Sequence, residues 1–195
     1  MNIFVVDRDP IISARNLCDK HVVKMIVETA QMLSTVHRVI DGTLTVEKTT
    51  SGRNVKRYLL ENQEWNNKLC KSVMVNHPCT QWAYESAHNY IWLWEHGNEL
   101  CREYTYRYNK IHSMNDLYTK YLVQMPNKLA CKFPQSRTPF AQAMPEQYKN
   151  VDPVHAYRQY YIHEKNKFAK WTRREVPLWY SQGLVELNIS KGQMV

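Results

Sequence analysis

The sequence predicts a mainly α-helical fold, a compact single-domain bundle with one small β-hairpin insertion at about residues 43–60. Apolar residues recur at three- and four-residue spacing over long stretches, as in amphipathic helices. Only 5 of the 195 residues are glycine, which disfavours a turn-rich all-β fold. No Pro-, Gly- or Ser-rich linker divides the chain. We therefore expect residues 1–195 to form one domain, with residues 185–195 as a frayed tail.

The first predicted helix runs from Asp9-Pro10 to Asp41-Gly42. Aspartate is a favoured N-cap residue, proline is favoured at the first helical position, and glycine commonly ends a helix. Its apolar face comprises Val22, Val23, Ile26, Ala30, Leu33, Val36 and Ile40. Its opposite face comprises His21, Lys24, Glu28, Gln31 and Thr35.

Residues 43–60 depart from the helical pattern and predict a β-hairpin. Two strand-like segments, 43–46 and 55–60, flank the turn-forming pair Ser51-Gly52. The hairpin would be a basic arm, and we expect its cations to bind nucleic-acid phosphates. These cations are Lys48, Arg53, Lys56 and Arg57.

The remaining chain predicts further helices separated by a proline-bearing loop. Asn76-His77-Pro78 opens a helical region that reaches Tyr108, with a break near Ser86. A capping box at 113–116 opens a shorter helix that ends before Pro126. Four prolines predict loops or short turns over 126–150. The last segments are a helix over 153–171, which follows the cap Asp152, and an irregular tail from Thr172.

Charge and cysteine content limit the partners and the compartment. A formal net charge of +8 and a pI of about 9.2 favour a polyanion, either DNA or a nucleotide. No run of about 18 apolar residues and no signal peptide is present, so we expect no membrane association. Five cysteines without a Cys-x-x-Cys pair indicate reduced thiols and a cytoplasmic location, the host cytoplasm if a phage encodes the chain. The oligomeric state is left open.

Common signatures of cofactor and metal chemistry are missing from the sequence. It contains no phosphate-binding loop, no dinucleotide fingerprint and no Gly-x-Ser-x-Gly elbow. Its eight histidines include no His-Glu-x-x-His pair, and His88 and His96 lack further ligands at metal spacing. We therefore expect neither a cofactor nor a bound metal.

The polar face of the first helix is the strongest candidate for acid–base chemistry. His21 and Glu28 are seven residues apart, two turns along one face, and Lys24 lies between them. A glutamate there can act as a general base or stabilise a cation, and a lysine can form a Schiff base. The alternative is a solvated face with a Lys24–Glu28 ion pair, which spacing alone favours.

Other candidates have structural alternatives of similar weight. His77 can act at a site or cap the helix that follows it, and Asp19 can cap a helix or orient His21 by a hydrogen bond. Arg137 and Arg158 lie in or beside loops and can bind phosphate.

The motif Asp-x-His, followed by Glu seven residues after the His, resembles the pyrimidine-dimer DNA glycosylases of the phage endonuclease V type. The matching residues are Asp19, His21 and Glu28, with a weaker match at His77-Pro78 and an aromatic C-terminal match at 177–180. The chain also resembles a group of small tailed-phage proteins that begin Met-Asn-Ile-Phe. That second likeness implies no activity.

The resemblance implies a helical bundle that cleaves the glycosidic bond of damaged or modified bases in DNA and then the abasic site. It makes the N-terminal α-amino group the nucleophile, on Met1 or, if Met1 is removed, on Asn2. Glu28 would stabilise the sugar cation and promote β-elimination. We expect His21 to be catalytic beside it, with Asp19, Lys24 and His77 in support.

Two other functions remain open. The family carries arginine beside its glutamate, where this chain has Val27 and Gln31. Fewer phosphate contacts favour an enzyme that modifies a nucleobase or nucleotide, or transfers a group to it. The basic arm also suits a non-enzymatic protein that binds nucleic acid or blocks a host factor.

Overall fold

The computed structural model describes residues 1–131, 134 and 136–192, with side chains only to residue 188 in the last helix. It confirms a mainly α-helical fold with one β-hairpin. The helices and strands are α1 (Pro10–Asn16), α2 (Asp19–Asp41), β1 (Thr43–Lys48), β2 (Asn54–Leu59), α3 (Gln63–Lys68), α4 (Pro78–Glu85), α5 (Ala87–Tyr108), α6 (Asn115–Leu117), α7 (Asn127–Ala130), α8 (Pro153–Glu164) and α9 (Leu178–Gly192). A π-helical turn spans Tyr118–Leu122 and a 3-10 turn spans Glu146–Tyr148.

The two long helices α2 and α5 pack against each other at the centre of the fold. Helix α1 packs on α5, α4 packs on both α2 and α5, and α8 packs on α9. The side chains of Val22, Ile26, Leu33, Leu93 and Leu100 are fully buried in this core. Burying one such side chain contributes about 1.5–3 kcal/mol, so the α2–α5 contact is a major part of the core.

The prediction of one helix from Pro10 to Asp41 is wrong, because the chain is extended at Leu17 and Cys18. The backbone N–H of Cys18 donates to the Tyr161 hydroxyl at 2.9 Å. The backbone N–H of Asp19 donates to the carbonyl of Lys170 at 2.8 Å. These partners come from the far end of the chain, so no local pattern predicts the break.

The predicted polar face of α2 is only partly solvated. His21 is 5% exposed and Thr35 is fully buried, whereas the apolar Val23 is 40% exposed. Neighbouring elements cover part of the polar face of α2 as well as its apolar face. The interpretation of this face as wholly solvated is therefore wrong at His21 and Thr35.

The predicted hairpin is present, with β1 and β2 antiparallel from the pair Thr43–Leu59 to the pair Lys48–Asn54. Gly52 in its turn has φ = 78°, a conformation that glycine adopts without strain. Arg38 of α2 fixes the base of the hairpin. Its guanidinium donates to the carbonyls of Tyr58, Asn66, Leu69 and Cys70 and to Asn66 Oδ1, at 2.7–3.0 Å.

The C-terminal half differs from the prediction in several places. The side chain of Ser113 caps no helix, and Met114 precedes α6 without a side-chain cap. Helix α8 begins after the cap Asp152 as predicted, but it ends at Glu164 instead of near Trp171. The tail from Thr172 is not irregular throughout, since it contains α9. Fraying over 185–195 stays a prediction, and its residues 193–195 lie outside the described residues.

All five cysteines are free thiols. Cys18, Cys79 and Cys101 are buried, and Cys131 is exposed. Among the described helices, none is both long enough and apolar enough to cross a membrane.

Candidate active site

The first six residues form no regular element, yet they run through the core. Ile3, Val5 and Val6 are fully buried, and Phe4 is 6% exposed. Side-chain burial therefore holds this irregular segment in place. The result is that the chain end, Met1, lies against the polar face of α2.

Asn2 shapes the backbone next to Met1. Its Oδ1 accepts hydrogen bonds from the N–H groups of Ile3 and Phe4 at 2.7 and 3.1 Å, and its Nδ2 donates to the carbonyl of Ala143 at 2.8 Å. Phe4 has φ = 38°, in the left-handed region that costs a non-glycine residue about 1 kcal/mol or more. With its amide fully engaged, Asn2 positions the chain end.

The α-amino nitrogen of Met1 lies 3.7 Å from Oε2 of Glu28. Lys24, one turn earlier on α2, places its Nζ 3.3 Å from the other carboxylate oxygen. The Glu28 side chain is 16% exposed, whereas that of Lys24 is 66% exposed. The predicted i,i+4 ion pair is thus present, but it is part of a cluster of one carboxylate and two amines.

His21 lies one to two turns before Glu28 and packs among aromatic rings. Its ring stacks on Phe4 with centroids 4.2 Å apart, and its Nδ1 lies 2.7 Å from the Tyr161 hydroxyl. Burial lowers the pKa of His21 to about 3, with smaller contributions from the charges of Lys165 and Lys24. The imidazole is therefore neutral at physiological pH.

The tautomer of His21 follows from its partner. The Tyr161 oxygen already accepts a hydrogen bond from the Cys18 N–H, so its own proton is available for His21 Nδ1. Nδ1 then acts as the acceptor, and the ring proton is on Nε2.

Asp19 does not orient His21 by a hydrogen bond, so this alternative of the prediction is wrong. Its carboxylate accepts from Arg107 Nη1 at 2.9 Å and from the hydroxyl and the N–H of Thr172 at 2.7–3.1 Å. The fully buried Arg107 also donates to Glu103 at 2.8 Å. Asp19 therefore anchors the start of α2 to α5 and to the segment before α9.

His77 has the predicted capping role, since its Nδ1 accepts the N–H of Cys79 at 3.2 Å at the start of α4. It also lies in the electrostatic field of the amine–carboxylate pair. Burial lowers the pKa of His77 and the Met1 ammonium lowers it further, whereas Glu28 raises it.

Met1, Asn2, His21, Lys24 and Glu28 open onto one concave space, which we call the Glu28 cavity, with a volume of ≈ 440 Å³; Asp19 and His77 do not line it. A volume of this size is typical of small-ligand sites. The walls combine cationic and aromatic side chains around a single carboxylate. The lining residues are Met1, Asn2, Phe4, Lys20, His21, Lys24, Glu28, Ala143, Tyr160, Lys165 and Phe168.

Six of these residues were not among the candidates from sequence: Phe4, Lys20, Ala143, Tyr160, Lys165 and Phe168. Lys20 precedes Lys24 by one turn, so the same i,i+4 spacing that revealed Glu28 also points to Lys20. Tyr160, Lys165 and Phe168 come from α8 and the segment after it. No sequence signal links them to α2, because only the packing of the folded chain brings these segments together.

The basic arm borders a second, open groove of ≈ 730 Å³ between β2 and residues 72–76. Arg53, Lys56 and Arg57 line this groove. Arg57 also donates to the carbonyl of Ser72 at 3.2 Å. None of the residues that line this groove lines the Glu28 cavity.

Arg137 and Arg158 do not line the Glu28 cavity. Arg137 donates to the carbonyl of Arg8 at 3.3 Å and covers the ring of Phe140. Arg158 donates to the carbonyl of Val6 at 2.8 Å and lies 3.5 Å from the carboxylate of Asp7. Both side chains brace the segment that leads from the N-terminus into α1.

The chemistry available in the cavity is that of amines and a carboxylate. Among the described residues, no group of three or more His, Cys, Asp or Glu side chains is arranged to hold a metal ion. A primary amine can form an imine with a sugar carbon, and an adjacent carboxylate can transfer protons.

Fold and site together define a basic, mainly α-helical protein in which a buried chain end meets a carboxylate inside a cationic cavity. The family model for pyrimidine dimer DNA glycosylases matches residues 1–116, more than half of the chain. The chain therefore belongs to the pyrimidine dimer DNA glycosylase family, which confirms the resemblance read from Asp19, His21 and Glu28. At the level of the family, this membership assigns DNA glycosylase activity, a role in DNA repair and a DNA substrate. No curated protein and no solved structure matches the chain.

Proposed function

We propose that this protein is a DNA glycosylase with abasic-site lyase activity that acts on pyrimidine dimers in duplex DNA. The observation that carries the proposal is the 3.7 Å approach of the Met1 α-amino nitrogen to Glu28 inside a cationic cavity. An amine beside a carboxylate provides both a nucleophile and a group that transfers protons.

In the proposed reaction, the neutral Met1 amine attacks C1′ of the damaged nucleotide. The bond from C1′ to the base nitrogen breaks, and the base leaves with the bonding electrons and takes up a proton. Glu28 stabilises the positive charge that develops on the sugar. An amine proton then passes to O4′ as the C1′–O4′ bond opens, which gives a protonated imine between Met1 and the ring-opened sugar.

The lyase step follows from the imine. Glu28 accepts a proton from C2′, and the electrons of that C–H bond form a C2′–C3′ double bond. The C3′–O bond breaks, and the 3′ phosphate leaves with its electron pair. Water then hydrolyses the imine, which releases the sugar remnant and restores the amine. The two protein groups that act in these steps, the Met1 amine and the Glu28 carboxylate, lie 3.7 Å apart.

Met1 is a better nucleophile than Lys24, the other amine beside Glu28. The buried segment that follows Met1 holds its amine in a fixed position beside Glu28. The Lys24 side chain is 66% exposed to water and paired with Glu28. We therefore assign the imine to Met1 and an electrostatic role to Lys24.

The other predicted site residues have supporting roles in this proposal. Neutral His21 stacks on Phe4 and fixes the segment that carries the amine. Asn2 directs the backbone between Met1 and Phe4, and Asp19 anchors the start of α2. His77 borders the amine and is a polar group near the leaving base.

DNA binding in the proposal uses the basic arm. Lys48, Arg53 and Lys56 are exposed, and neutralising phosphates with such cations supplies sequence-independent affinity. The duplex must deform at the lesion, because C1′ is inaccessible to an amine inside a cavity while the base remains stacked.

Borohydride trapping tests the proposal. The protein is mixed with duplex DNA that contains a cyclobutane pyrimidine dimer, or an abasic site, and borohydride reduces any imine to a stable amine. We expect a covalent protein–DNA adduct, and peptide mapping should place it on the α-nitrogen of Met1. An undamaged duplex of the same sequence is the control.

Other results would favour other functions. An adduct on Lys24 would contradict the assignment of the nucleophile. DNA binding without cleavage or an adduct at either lesion would favour a binding protein. Turnover of free nucleotides without any on duplex DNA would favour a nucleotide-modifying enzyme.

A further inference from the structure

One wall of the Glu28 cavity comes from outside the segment that matches the family. The matched residues 1–116 supply the chain end and the face of α2. Ala143, Tyr160, Lys165 and Phe168 supply the remaining wall. Features of this wall are therefore properties of this chain that membership of the family does not assign.

Lys165 is the cation of this wall, at the C-terminal end of α8. Its Nζ donates to the Tyr160 hydroxyl at 3.0 Å and lies 4.3 Å from the centroid of the Tyr160 ring. The two contacts, together with the negative end of the α8 dipole, fix the ammonium group in one place. Lys165 is half-buried, so much of the cost of ordering its long side chain has already been met.

Lys165 has no acidic partner among the described residues, because no carboxylate lies within 4 Å of its ammonium. The one carboxylate that lines the cavity, Glu28, is already paired with Met1 and Lys24. Lys20 is in a similar position, since its Nζ lies over Phe168 at 4.8 Å and it too lacks an ion pair among the described residues.

The cavity thus holds more positive than negative charge. The excess positive charge lies on both the α2 wall and the wall that contains Lys165. Met1, Lys20, Lys24 and Lys165 face a single carboxylate. An ordered, half-buried cation without an acidic partner among the described residues favours an anion that arrives with the substrate. In DNA, each sugar is flanked by two phosphates, which are the only anions close to C1′.

We infer that Lys165, held by Tyr160, binds a phosphate that flanks the reacting nucleotide and thereby positions C1′ at the amine. The inference rests on the proposed function, because it places the reacting sugar in the Glu28 cavity. Lys165 is a substrate-binding residue in this role, and Tyr160 is a positioning residue that acts through it.

A binding measurement without chemistry tests this inference. The probe is duplex DNA with a tetrahydrofuran abasic analogue, which lacks the C1′ oxygen and forms no imine. We expect Lys165→Gln to weaken binding several-fold near 0.1 M salt. The slope of log K against log salt should fall by about 0.9, the value for one phosphate contact. Lys165→Arg should restore both, and the exposed Lys167→Gln is the matched control.

Uncharged methylphosphonates identify the phosphate that Lys165 contacts. Replacing either phosphate that flanks the analogue with a methylphosphonate should weaken binding of the original protein at one of the two positions. The same replacement should cause no further loss in Lys165→Gln, as expected for two partners of one contact. Tyr160→Phe should show part of the Lys165→Gln loss without a change in the salt slope, because the charge remains.

Two outcomes overturn the inference: unchanged affinity and salt slope in Lys165→Gln, or additive losses from Lys165→Gln and both methylphosphonates. If Lys165→Gln does not fold, Tyr160→Phe decides, because its loss of affinity should disappear on the methylphosphonate duplex that weakens the original protein. The proposed function has a separate test. It fails if borohydride traps no adduct at Met1, whereas the phosphate contact is measured on a probe that forms no imine.

Discussion

The α-amino nitrogen of Met1 and the Glu28 carboxylate lie 3.7 Å apart, although one begins the chain and the other is in the third turn of α2. The contact exists because residues 3–6 are buried in the core and Asn2 turns the backbone towards α2. The amine is therefore held in place by the folded core. Substitution of Glu28 can test the carboxylate, and chemical blocking of the N-terminus can test the amine.

Glu28→Gln should reduce glycosylase and lyase rates by about 10²–10⁴-fold, because the amide cannot accept a proton or stabilise the sugar cation. Lesion binding should be retained, since the substitution removes a negative charge. Single-turnover cleavage and equilibrium binding to the lesion duplex measure the two effects. Glu61→Gln, at an exposed glutamate outside the cavity, is the control. A cleavage rate in Glu28→Gln equal to that of the control would exclude a catalytic role for Glu28.

Tyr161→Phe should lower the free energy of unfolding by about 1–3 kcal/mol. It removes the hydroxyl that accepts from the Cys18 N–H and donates to His21 Nδ1, and it leaves two buried polar groups without a partner. Urea denaturation measures the loss. Tyr148→Phe, at a half-buried tyrosine that loses an exposed hydrogen bond to Glu164, should change stability by less than about 0.5 kcal/mol. Equal losses in the two variants would contradict the structural role of Tyr161.

Arg107→Met should destabilise the fold by about 3 kcal/mol or more. The guanidinium is fully buried and joins Glu103 of α5 to Asp19 of α2, so its removal leaves buried acidic charge with fewer partners. Arg102→Met is the matched control on the same helix. Its side chain is 70% exposed, and its ion pair with Glu99 is worth about 1 kcal/mol or less. Similar denaturation midpoints for the two variants would count against a structural Arg107 network.

Acid should destabilise the protein between about pH 6.5 and pH 3. Burial lowers the pKa of His21 and His96 to about 3 and that of His37 to about 4. Because the folded state binds these protons less readily than the unfolded state, stability is complete above pH 6.5 and falls as the pH drops. The total loss should reach several kcal/mol, on the order of 1.4 kcal/mol per pKa unit before relaxation.

His96→Leu isolates one part of this pH dependence. Both ring nitrogens of His96 are buried without a hydrogen-bond partner among the described residues, so leucine removes two unsatisfied polar atoms. Stability plotted against pH should become shallower, whereas His88→Gln, at an exposed histidine, should leave the slope unchanged. An unchanged slope in His96→Leu would show that the acid sensitivity has another source.

Replacing Lys48, Arg53 and Lys56 together with glutamine should weaken DNA binding about equally for damaged and undamaged duplexes. The slope of log K against log salt should fall by up to about 0.9 for each lost phosphate contact. The rate of cleavage at saturating protein should stay the same, because the arm is outside the Glu28 cavity. Lys120→Gln, at a lysine already paired with Asp116 at 2.6 Å, is the control. An unchanged salt slope in the triple variant would show that the arm does not contact DNA.

Local signals in the sequence predicted local features of the fold. The caps Asp9 and Asp152 begin helices where predicted, and Gly42 ends α2. The hairpin formed over the predicted residues. Each depends on a few neighbouring residues whose conformational preferences are strong enough to decide the structure without help from the rest of the chain.

Features that depend on distant contacts were predicted poorly. The break before α2 is fixed by Tyr161 and Lys170, and the burial of His21 is fixed by Phe4 and Phe168. Helix α8 ends one to two turns earlier than its local pattern indicates. At the break before α2 and at His21, a hydrogen bond or a packed ring from elsewhere in the chain outweighs a local propensity of only a few tenths of a kcal/mol.

The sequence by itself determined the helical class, the hairpin, the basic character, the family and the alignment of Lys24 with Glu28 on one helical face. Helix geometry alone sets the alignment of Lys24 with Glu28. Only the tertiary structure placed the Met1 amine at Glu28 and brought Tyr160, Lys165 and Phe168 to the same cavity. The physical reason is that these contacts form when the core closes around residues 3–6 and α8, and the burial that closes it is non-directional and leaves no periodic signal in the chain.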